Sequence, residues 1–101
     1  MPAVRGRKPL EKDIENAFVR KVKQLGCITR KINGMGFNAW PDRLILCPGG
    51  ATLFIEFKRP GETLAPLQDA LHSDVKAMGH TWYVCDSWEN ALSIVHEHIK
   101  Q

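Results

Sequence analysis

Two short apolar segments joined by a tight turn constrain the fold of this chain more than any other feature. The segments are 42-DRLILC-47 and 52-TLFIEFK-58, and 48-PGGA-51 lies between them. Proline and glycine mark turns, so the stretch predicts a β-hairpin. Short apolar strands are usually buried, yet these carry Asp42, Glu56 and Lys58. Because a buried charge without a partner is costly, the hairpin must bring these charges to something that offsets them.

Alternation along a strand places two of the charges on one face of the second segment, because successive side chains point to opposite sides. Glu56 and Lys58 share that face, and the apolar side chains of the opposite face are expected in the core: Leu53, Ile55 and Phe57. Counting back through the turn places Asp42 opposite residue 56 or 57. Two neighbouring carboxylates repel, and one keeps its proton unless a cation lies between them.

A divalent metal ion would remove this conflict. Oxygen ligands favour Mg²⁺ or Mn²⁺, and Mg²⁺ is often held by only one or two carboxylates together with waters and substrate phosphates. Such an ion can acidify a bound water and polarise a phosphodiester, while Lys58 orients that water or stabilises developing charge. The alternative, on spacing alone, is a surface ion-pair cluster of Asp42, Glu56 and Lys58 on an exposed sheet face.

The rest of the chain predicts helices and strands around this hairpin. Apolar residues recur at helical spacing from Ile14 to Leu25, which predicts a helix that opens near Pro9 and stops at Gly26. A strand at 27–32 and a loop at 33–41 lead into the hairpin. The expected order is α-β-β-β-α-β-α, an α/β fold with a small mixed sheet flanked by helices.

Two helices are predicted after the hairpin. Thr63 is expected to cap the first of them, which ends at Gly79 and buries a stripe of Leu64, Leu67, Leu71, Val75 and Met78. A strand at 81–85 follows. Ser87 is expected to cap the last helix, which buries Leu92, Val95 and Ile99.

Charge is distributed unevenly along the 101 residues. Residues 1–31 hold nine Lys or Arg against three acids, whereas the rest hold five against eight. A basic end beside an acidic remainder suggests a polyanionic partner, most simply nucleic acid. Charge alone does not separate this interpretation from a solvated helix face.

Other function classes find little support in the sequence. The cysteines Cys27, Cys47 and Cys85 have no metal-binding spacing and are expected to be buried, reduced thiols, and the histidines do not form a zinc pattern. No apolar run approaches the roughly 20 residues that span a bilayer, and no signal-peptide core follows the basic start. A cytoplasmic location without membrane contact is therefore expected.

The hairpin and its surroundings resemble a known enzyme family. Pro41-Asp42 followed by Glu56-Phe57-Lys58 resembles the signature of PD-(D/E)XK (restriction-endonuclease-like) nucleases. Together with Glu11, Glu15, the Lys31 strand, PDRL, the PGG turn, FIEFKRPG and Gln68, it resembles the VRR-NUC branch, in its stand-alone phage or bacterial form. The likeness runs from about Glu11 to Asp86. One departure is Ala39, where the family often has glycine; nearby Gly34 and Gly36 could supply the backbone freedom.

The resemblance implies a Mg²⁺- or Mn²⁺-dependent DNA endonuclease. By motif position, Asp42 and Glu56 would bind metal with the backbone carbonyl of Phe57, and Lys58 would be catalytic. Gln68 matches the family's glutamine on the next helix. Stand-alone members resemble Holliday-junction resolvases and tend to be homodimers, so a branched, four-way DNA substrate is expected.

Two side chains near the motif leave alternatives open. Either Glu11 or Glu15 matches the family's first-helix glutamate, and we favour Glu15, whose spacing to Gly26 resembles that of archaeal junction resolvases. The alternative is a solvent-facing carboxylate near a helix N-terminus. Trp40 packs in the core or stacks on an unpaired base.

DNA contacts are expected mainly from the basic first third of the chain. Residues 1–9 are interpreted as a basic arm and 10–101 as one nuclease domain. The candidate DNA-binding residues are Arg5, Arg7, Lys8, Lys12, Arg20, Lys23, Arg30, Lys31, Arg43 and Arg59. Phosphate contacts of this kind give affinity without sequence readout. Alternative functions are a flap-cleaving or sequence-specific nuclease and a non-catalytic nucleic-acid-binding module.

Overall fold

The described residues form four strands and three α-helices in the order expected from the sequence. The computed structural model describes residues 10–32 and 39–99, so the predicted arm at 1–9 with Arg5, Arg7 and Lys8, and Gly34 and Gly36, lie outside the described residues. The elements are α1 (Glu11–Val22), a 3₁₀ turn (Lys23–Leu25), β1 (Ile28–Lys31), β2 (Arg43–Leu46), β3 (Thr52–Phe57), α2 (Pro66–Ala77), β4 (Trp82–Cys85) and α3 (Trp88–His98). The predicted α-β-β-β-α-β-α order is confirmed.

The strands make one mixed sheet in the order β1-β2-β3-β4. The first two pairings are antiparallel and β3 pairs with β4 in parallel. In the hairpin, Arg43 lies opposite Ile55 and Leu46 lies opposite Thr52. The turn between them has two glycines at positive φ, Gly49 at 92° and Gly50 at 101°. Residues other than glycine rarely adopt these backbone angles, which explains the two glycines of the PGG sequence.

The core lies between one face of the sheet and the helices α1 and α3. Leu53, Ile55 and Phe57 are at most 1% exposed, as their alternation predicted. Phe57 packs against Phe18 of α1 with ring centroids 5.3 Å apart, and Val95 of α3 is fully buried in the same cluster. The face of β3 that carries the charged residues therefore points away from α1 and α3.

Helix α2 covers the other face of the sheet and is less buried than its sequence suggests. It begins at Pro66, not directly after Thr63, and the predicted buried stripe is wrong: Leu67 is 76% and Met78 73% exposed. Leu64, Leu71 and Val75 are half-buried. The one buried residue within this helix is polar, Gln68. The helix lies over the β3–β4 side of the sheet, which leaves part of its apolar stripe without a partner.

The last helix and the cysteines mostly follow expectation. Ser87 caps α3 by accepting a hydrogen bond from Asn90 N–H at 3.1 Å. Val95 is buried, whereas Leu92 and Ile99 are half-buried and the small Ala91 takes a fully buried place that the sequence did not single out. Cys27, Cys47 and Cys85 are buried free thiols. Within residues 10–32 and 39–99, none of the helices has the length and apolar character needed to cross a bilayer.

Candidate active site

The hairpin register brings two acidic side chains together at the open end of β2 and β3. Since Arg43 lies opposite Ile55, the residues one step further, Asp42 and Glu56, face each other. Asp42 is 8% exposed and Glu56 is 3% exposed. Asp42 Oδ2 accepts a hydrogen bond from Phe57 N–H at 2.7 Å. The main chain of β3 thus fixes the first carboxylate next to the second.

Glu56 has two polar neighbours, and both approach the same oxygen. Gln68 Nε2 donates to Glu56 Oε2 at 2.9 Å, and Lys58 Nζ lies 3.6 Å from it. The other oxygen, Oε1, is buried and has no hydrogen-bond partner in the described part of the chain. A buried carboxylate oxygen left without a partner is costly, so one side of Glu56 is open to a ligand.

Burial makes both carboxyl groups harder to ionise, and the charge of Asp42 adds to this effect at Glu56. Desolvation, followed by the charge of Asp42, raises the pKa of Glu56 from 4.5 to about 7, against the opposing effects of Gln68 and Lys58. Desolvation also raises the pKa of Asp42, although the Phe57 N–H opposes it. The negative charge of the two carboxylates is therefore not fully compensated, because Lys58 alone does not offset two buried anions.

These residues fit a hard divalent cation. The donors are carboxylate oxygens, and one of them has no hydrogen-bond partner among the described residues. Mg²⁺ typically binds one or two carboxylates and keeps several waters. Across residues 10–32 and 39–99, no group of three or more His, Cys, Asp or Glu side chains forms a fuller cage. The predicted contribution of the Phe57 carbonyl stays a prediction.

Gln68 reaches Glu56 because its side chain is held at both ends. Its Oε1 accepts a hydrogen bond from Ala65 N–H at 3.3 Å, at the start of α2, which leaves Nε2 to donate to Glu56. The Gln68 amide therefore makes two hydrogen bonds, one to the start of α2 through its oxygen and one to Glu56 through its nitrogen. The sequence placed Gln68 near this edge, and the structure does so as well.

The two candidate glutamates of α1 have different surroundings. Glu15 is 7% exposed, and it accepts from Arg43 Nε at 2.6 Å and pairs with Lys31 Nζ at 3.8 Å. Its charge still contributes to raising the pKa of Asp42. Burial and a hydrogen bond to the Glu62 side chain raise the pKa of Glu11, whose charge environment also includes Lys58 and Asp42. Both glutamates therefore lie within electrostatic range of the carboxylate pair.

Glu62 is a neighbour of the site that the sequence did not reveal. It follows β3 in an exposed turn, where its Oε1 accepts from Arg59 N–H at 2.7 Å. Its carboxyl group also meets Glu11. An acid in a glycine-containing turn carries no pattern of its own, so only the folded chain shows this pairing.

The predicted DNA-binding residues do not gather on one face. Lys12, Arg20 and Lys23 are exposed on α1 and the 3₁₀ turn, on one side of the sheet. Arg30 lies opposite Leu44 and so shares the α2 side with Glu56. Lys31 is 58% exposed, whereas Arg43 is only 15% exposed and held by Glu15. Arg59 is half-buried directly after Lys58.

The pKa of Glu56 predicts a pH dependence of stability in the metal-free protein. Its folded-state pKa of about 7 lies above the ordinary 4.5, so the folded chain binds this proton more tightly. The resulting stability is fully present below pH 4.5 and is lost as pH rises through about 7. With EDTA, Glu56→Gln is therefore expected to gain on the order of 2–3 kcal/mol over wild type between these limits.

Urea unfolding of both proteins at a series of pH values measures this difference. Taking the difference removes the contribution of Glu11, which titrates in both proteins. Adding Mg²⁺ above pH 7 is expected to stabilise wild type more than Glu56→Gln. A difference that stays constant from pH 4.5 to pH 8 would show that Glu56 is not strained by burial.

Comparisons with known proteins agree with this geometry. Over 77 residues the chain is 39% identical to "Putative nuclease p44" of Acyrthosiphon pisum secondary endosymbiont phage 1. This alignment covers 76% of this chain and 83% of that protein. The chain superposes on a solved structure described as "VRR_NUC domain" with a TM-score of 0.76 and 24% identity, over 89% of this chain and 97% of the other. No family model matches the chain.

Proposed function

The chain belongs to the VRR-NUC family of nucleases, and from that premise we propose that it is a divalent-metal-dependent endonuclease that cuts branched DNA. The observation that carries the proposal is the pair of buried carboxylates of Asp42 and Glu56. One Glu56 oxygen has no hydrogen-bond partner in the described part of the chain, and Lys58 Nζ lies 3.6 Å from the other. A protein that only bound DNA would gain nothing from two buried, mutually repelling acids.

Asp42 and Glu56 would hold the metal ion, with the Phe57 carbonyl as a further oxygen. When bound, Mg²⁺ or Mn²⁺ supplies Lewis-acid polarisation of a phosphodiester and a more acidic water. Gln68 fixes the orientation of the Glu56 carboxylate through its Nε2. The charge of a bound ion would also favour loss of the proton from Glu56, so that the carboxylate form would predominate at neutral pH.

Lys58 is the residue that would act on the reacting phosphate. Its side chain is 14% exposed, so the ammonium group lies in a partly dehydrated place where its charge acts more strongly than in water. From there it would orient the attacking water or stabilise negative charge as the P–O bond breaks.

The DNA substrate is inferred from charge and symmetry. The basic first third of the chain supports a polyanionic partner, and contacts to phosphates favour recognition of shape over sequence. The described residues contain one such carboxylate pair, whereas symmetric cutting of a four-way junction needs two. A homodimer with a two-fold axis would supply them. A flap is the alternative substrate, since one site suffices for it.

Lys58→Met tests the enzymatic role directly. Labelled four-way junction, flap and linear duplex are incubated with Mg²⁺, with Mn²⁺ and with EDTA. Wild type is expected to cleave the junction in both metals and not in EDTA. Lys58→Met is expected to lose about 10²–10³-fold in rate, the usual effect of removing one charge-stabilising donor.

Lys76→Met provides a matched control, because Lys76 is exposed on α2. This variant should cleave DNA like wild type. Cleavage of flaps but not junctions would replace the junction substrate with a flap. If none of the three DNAs is cut in either metal, the enzymatic proposal is wrong.

A further inference from the structure

An apolar cavity of about 330 Å³ lies on the same side of the sheet as the carboxylate pair. Aromatic side chains from three segments line it, and α2 and the residue after it add aliphatic ones: Trp40, Phe54, Trp82, Leu71, Val75 and Met78. Its volume is at the small end of ligand pockets, which run from roughly 300 Å³ upward. The metal site described above does not use this cavity.

The cavity adjoins the carboxylates through three elements. Pro41 contributes to its lining and is the residue before Asp42. Phe54 precedes Glu56 by two residues on the same face of β3, about 6.7 Å along the strand. Leu71 follows Gln68 by three residues on α2, a rise of about 4.5 Å. A DNA strand with a phosphate at the carboxylates would therefore bring a neighbouring base to this opening.

Trp82 forms one wall of the cavity. Trp82 is 2% exposed and lies opposite Phe54 in the sheet. Its indole Nε1 has no hydrogen-bond partner among the residues that the structure describes. The ring is held in place by His72, whose ring meets it edge-on at 4.9 Å and whose Nε2 lies 3.1 Å from the Trp82 carbonyl oxygen. The cavity thus offers aromatic surface on a fixed support.

We propose that this cavity binds one unpaired nucleobase of the strand being cut, an inference that rests on the proposed nuclease function. A nucleobase matches the aromatic and aliphatic lining of the cavity, because it presents a flat π face. Trp40, 43% exposed at the rim, gives it a surface for stacking. Stacking tolerates any base, so the cavity selects for an unpaired nucleotide and not for a sequence.

The consequence for substrate choice is specific. A base can enter only if it leaves its stack, which is easiest beside a branch point or in a single strand. The cavity would therefore contribute to preference for branched DNA at the nucleotide next to the cut. Removal of one base–aromatic stack is expected to weaken binding about 5–150-fold.

Fluorescence of 2-aminopurine tests this inference. The analogue replaces, one position at a time, the nucleotides around the branch point of a flap and of a four-way junction. Binding is measured with Lys58→Met protein, which keeps both carboxylates and turns over slowly. One position is expected to change in fluorescence on binding, and an abasic site there is expected to weaken binding about 5–150-fold.

Val75→Phe, added to this protein, fills the cavity from α2 without touching the carboxylates. It is expected to abolish the fluorescence change and to bind intact and abasic DNA equally. Leu67→Phe is the matched control, because it introduces the same side chain on the same helix at a 76% exposed position. Trp40→Ala at the exposed rim is a second variant, expected to weaken the signal even if Val75→Phe fails to fold.

Three outcomes would overturn the inference. The first is that no position responds, and the second is that the signal is unchanged in both Val75→Phe and Trp40→Ala. The third is that these variants affect self-association alone, which would make the cavity a contact between two copies of the chain. The test also separates the two proposals. If wild type cleaves DNA but binds intact and abasic substrates equally, only the proposal of a nucleobase-binding cavity is wrong. If one position changes in fluorescence but no DNA is cleaved, only the proposed nuclease function is wrong.

Discussion

Asp42→Asn is expected to lower the rate of metal-dependent DNA cleavage by about 10³-fold or more while the protein stays folded. The substitution removes one of two anionic ligands, and a bound metal ion contributes several kcal/mol to the reaction, where about 4 kcal/mol corresponds to 10³-fold. The fold is preserved because the asparagine carbonyl can still accept the hydrogen bond from Phe57 N–H, now made to Asp42 Oδ2 at 2.7 Å. The pKa of Glu56 should also fall, since the charge of Asp42 helps to raise it.

Single-turnover cleavage in Mg²⁺, Mn²⁺ affinity and circular dichroism together measure these effects. Asp74→Asn makes the same chemical change at an exposed position of α2 and should behave as wild type in all three. Cleavage by Asp42→Asn within tenfold of wild type would show that the carboxylate pair is not the metal site.

Phe57→Ala is expected to destabilise the chain by about 3–5 kcal/mol, the range for buried Phe→Ala. Phe57 is fully buried and lies between Glu56 and Lys58 in sequence, with its ring against Phe18 on the opposite side of the sheet. Single domains have only about 5–15 kcal/mol of stability, so much of the reserve would be lost. Cleavage at 37 °C would fall with it, although Phe57 contributes only its backbone to the proposed site.

Urea denaturation of Phe57→Ala, Phe57→Leu and Leu67→Ala measures this contribution. The leucine variant keeps most of the apolar volume and should lose less. Leu67→Ala, at a 76% exposed position, should stay within about 0.5 kcal/mol of wild type. A loss below 1 kcal/mol for Phe57→Ala would mean that the core can close around the missing ring.

The sequence was sufficient for the hairpin and its charged face because both depend on local rules. The glycine turn sets the pairing, and alternation then assigns Glu56 and Lys58 to one side and Ile55 and Phe57 to the other. The position of Asp42 follows from the same count. These relations hold within one stretch of chain and need no knowledge of distant contacts.

Relations across layers were not accessible in the same way. Helical spacing gave α2 an apolar stripe, but spacing does not say how much sheet is available to cover it, and Leu67 and Met78 remain exposed. Nor could it show that Glu15 would bond Arg43, since that contact joins α1 to β2. The bond between Glu11 and Glu62 likewise joins α1 to the turn after β3. Each of these pairs depends on how helices are placed against strands.

The turn at residues 48–51 has a consequence for how this chain can change over evolutionary time. It lies at the far end of the hairpin from Asp42 and Glu56, yet it sets which residues of β2 and β3 face each other. A one-residue insertion or deletion that slipped the pairing would turn the side chains of one strand to the opposite face. The length of this turn therefore determines whether the two carboxylates stay on one face. Residue substitutions within it are limited by backbone angle, whereas changes in its length are limited by the chemistry at the other end.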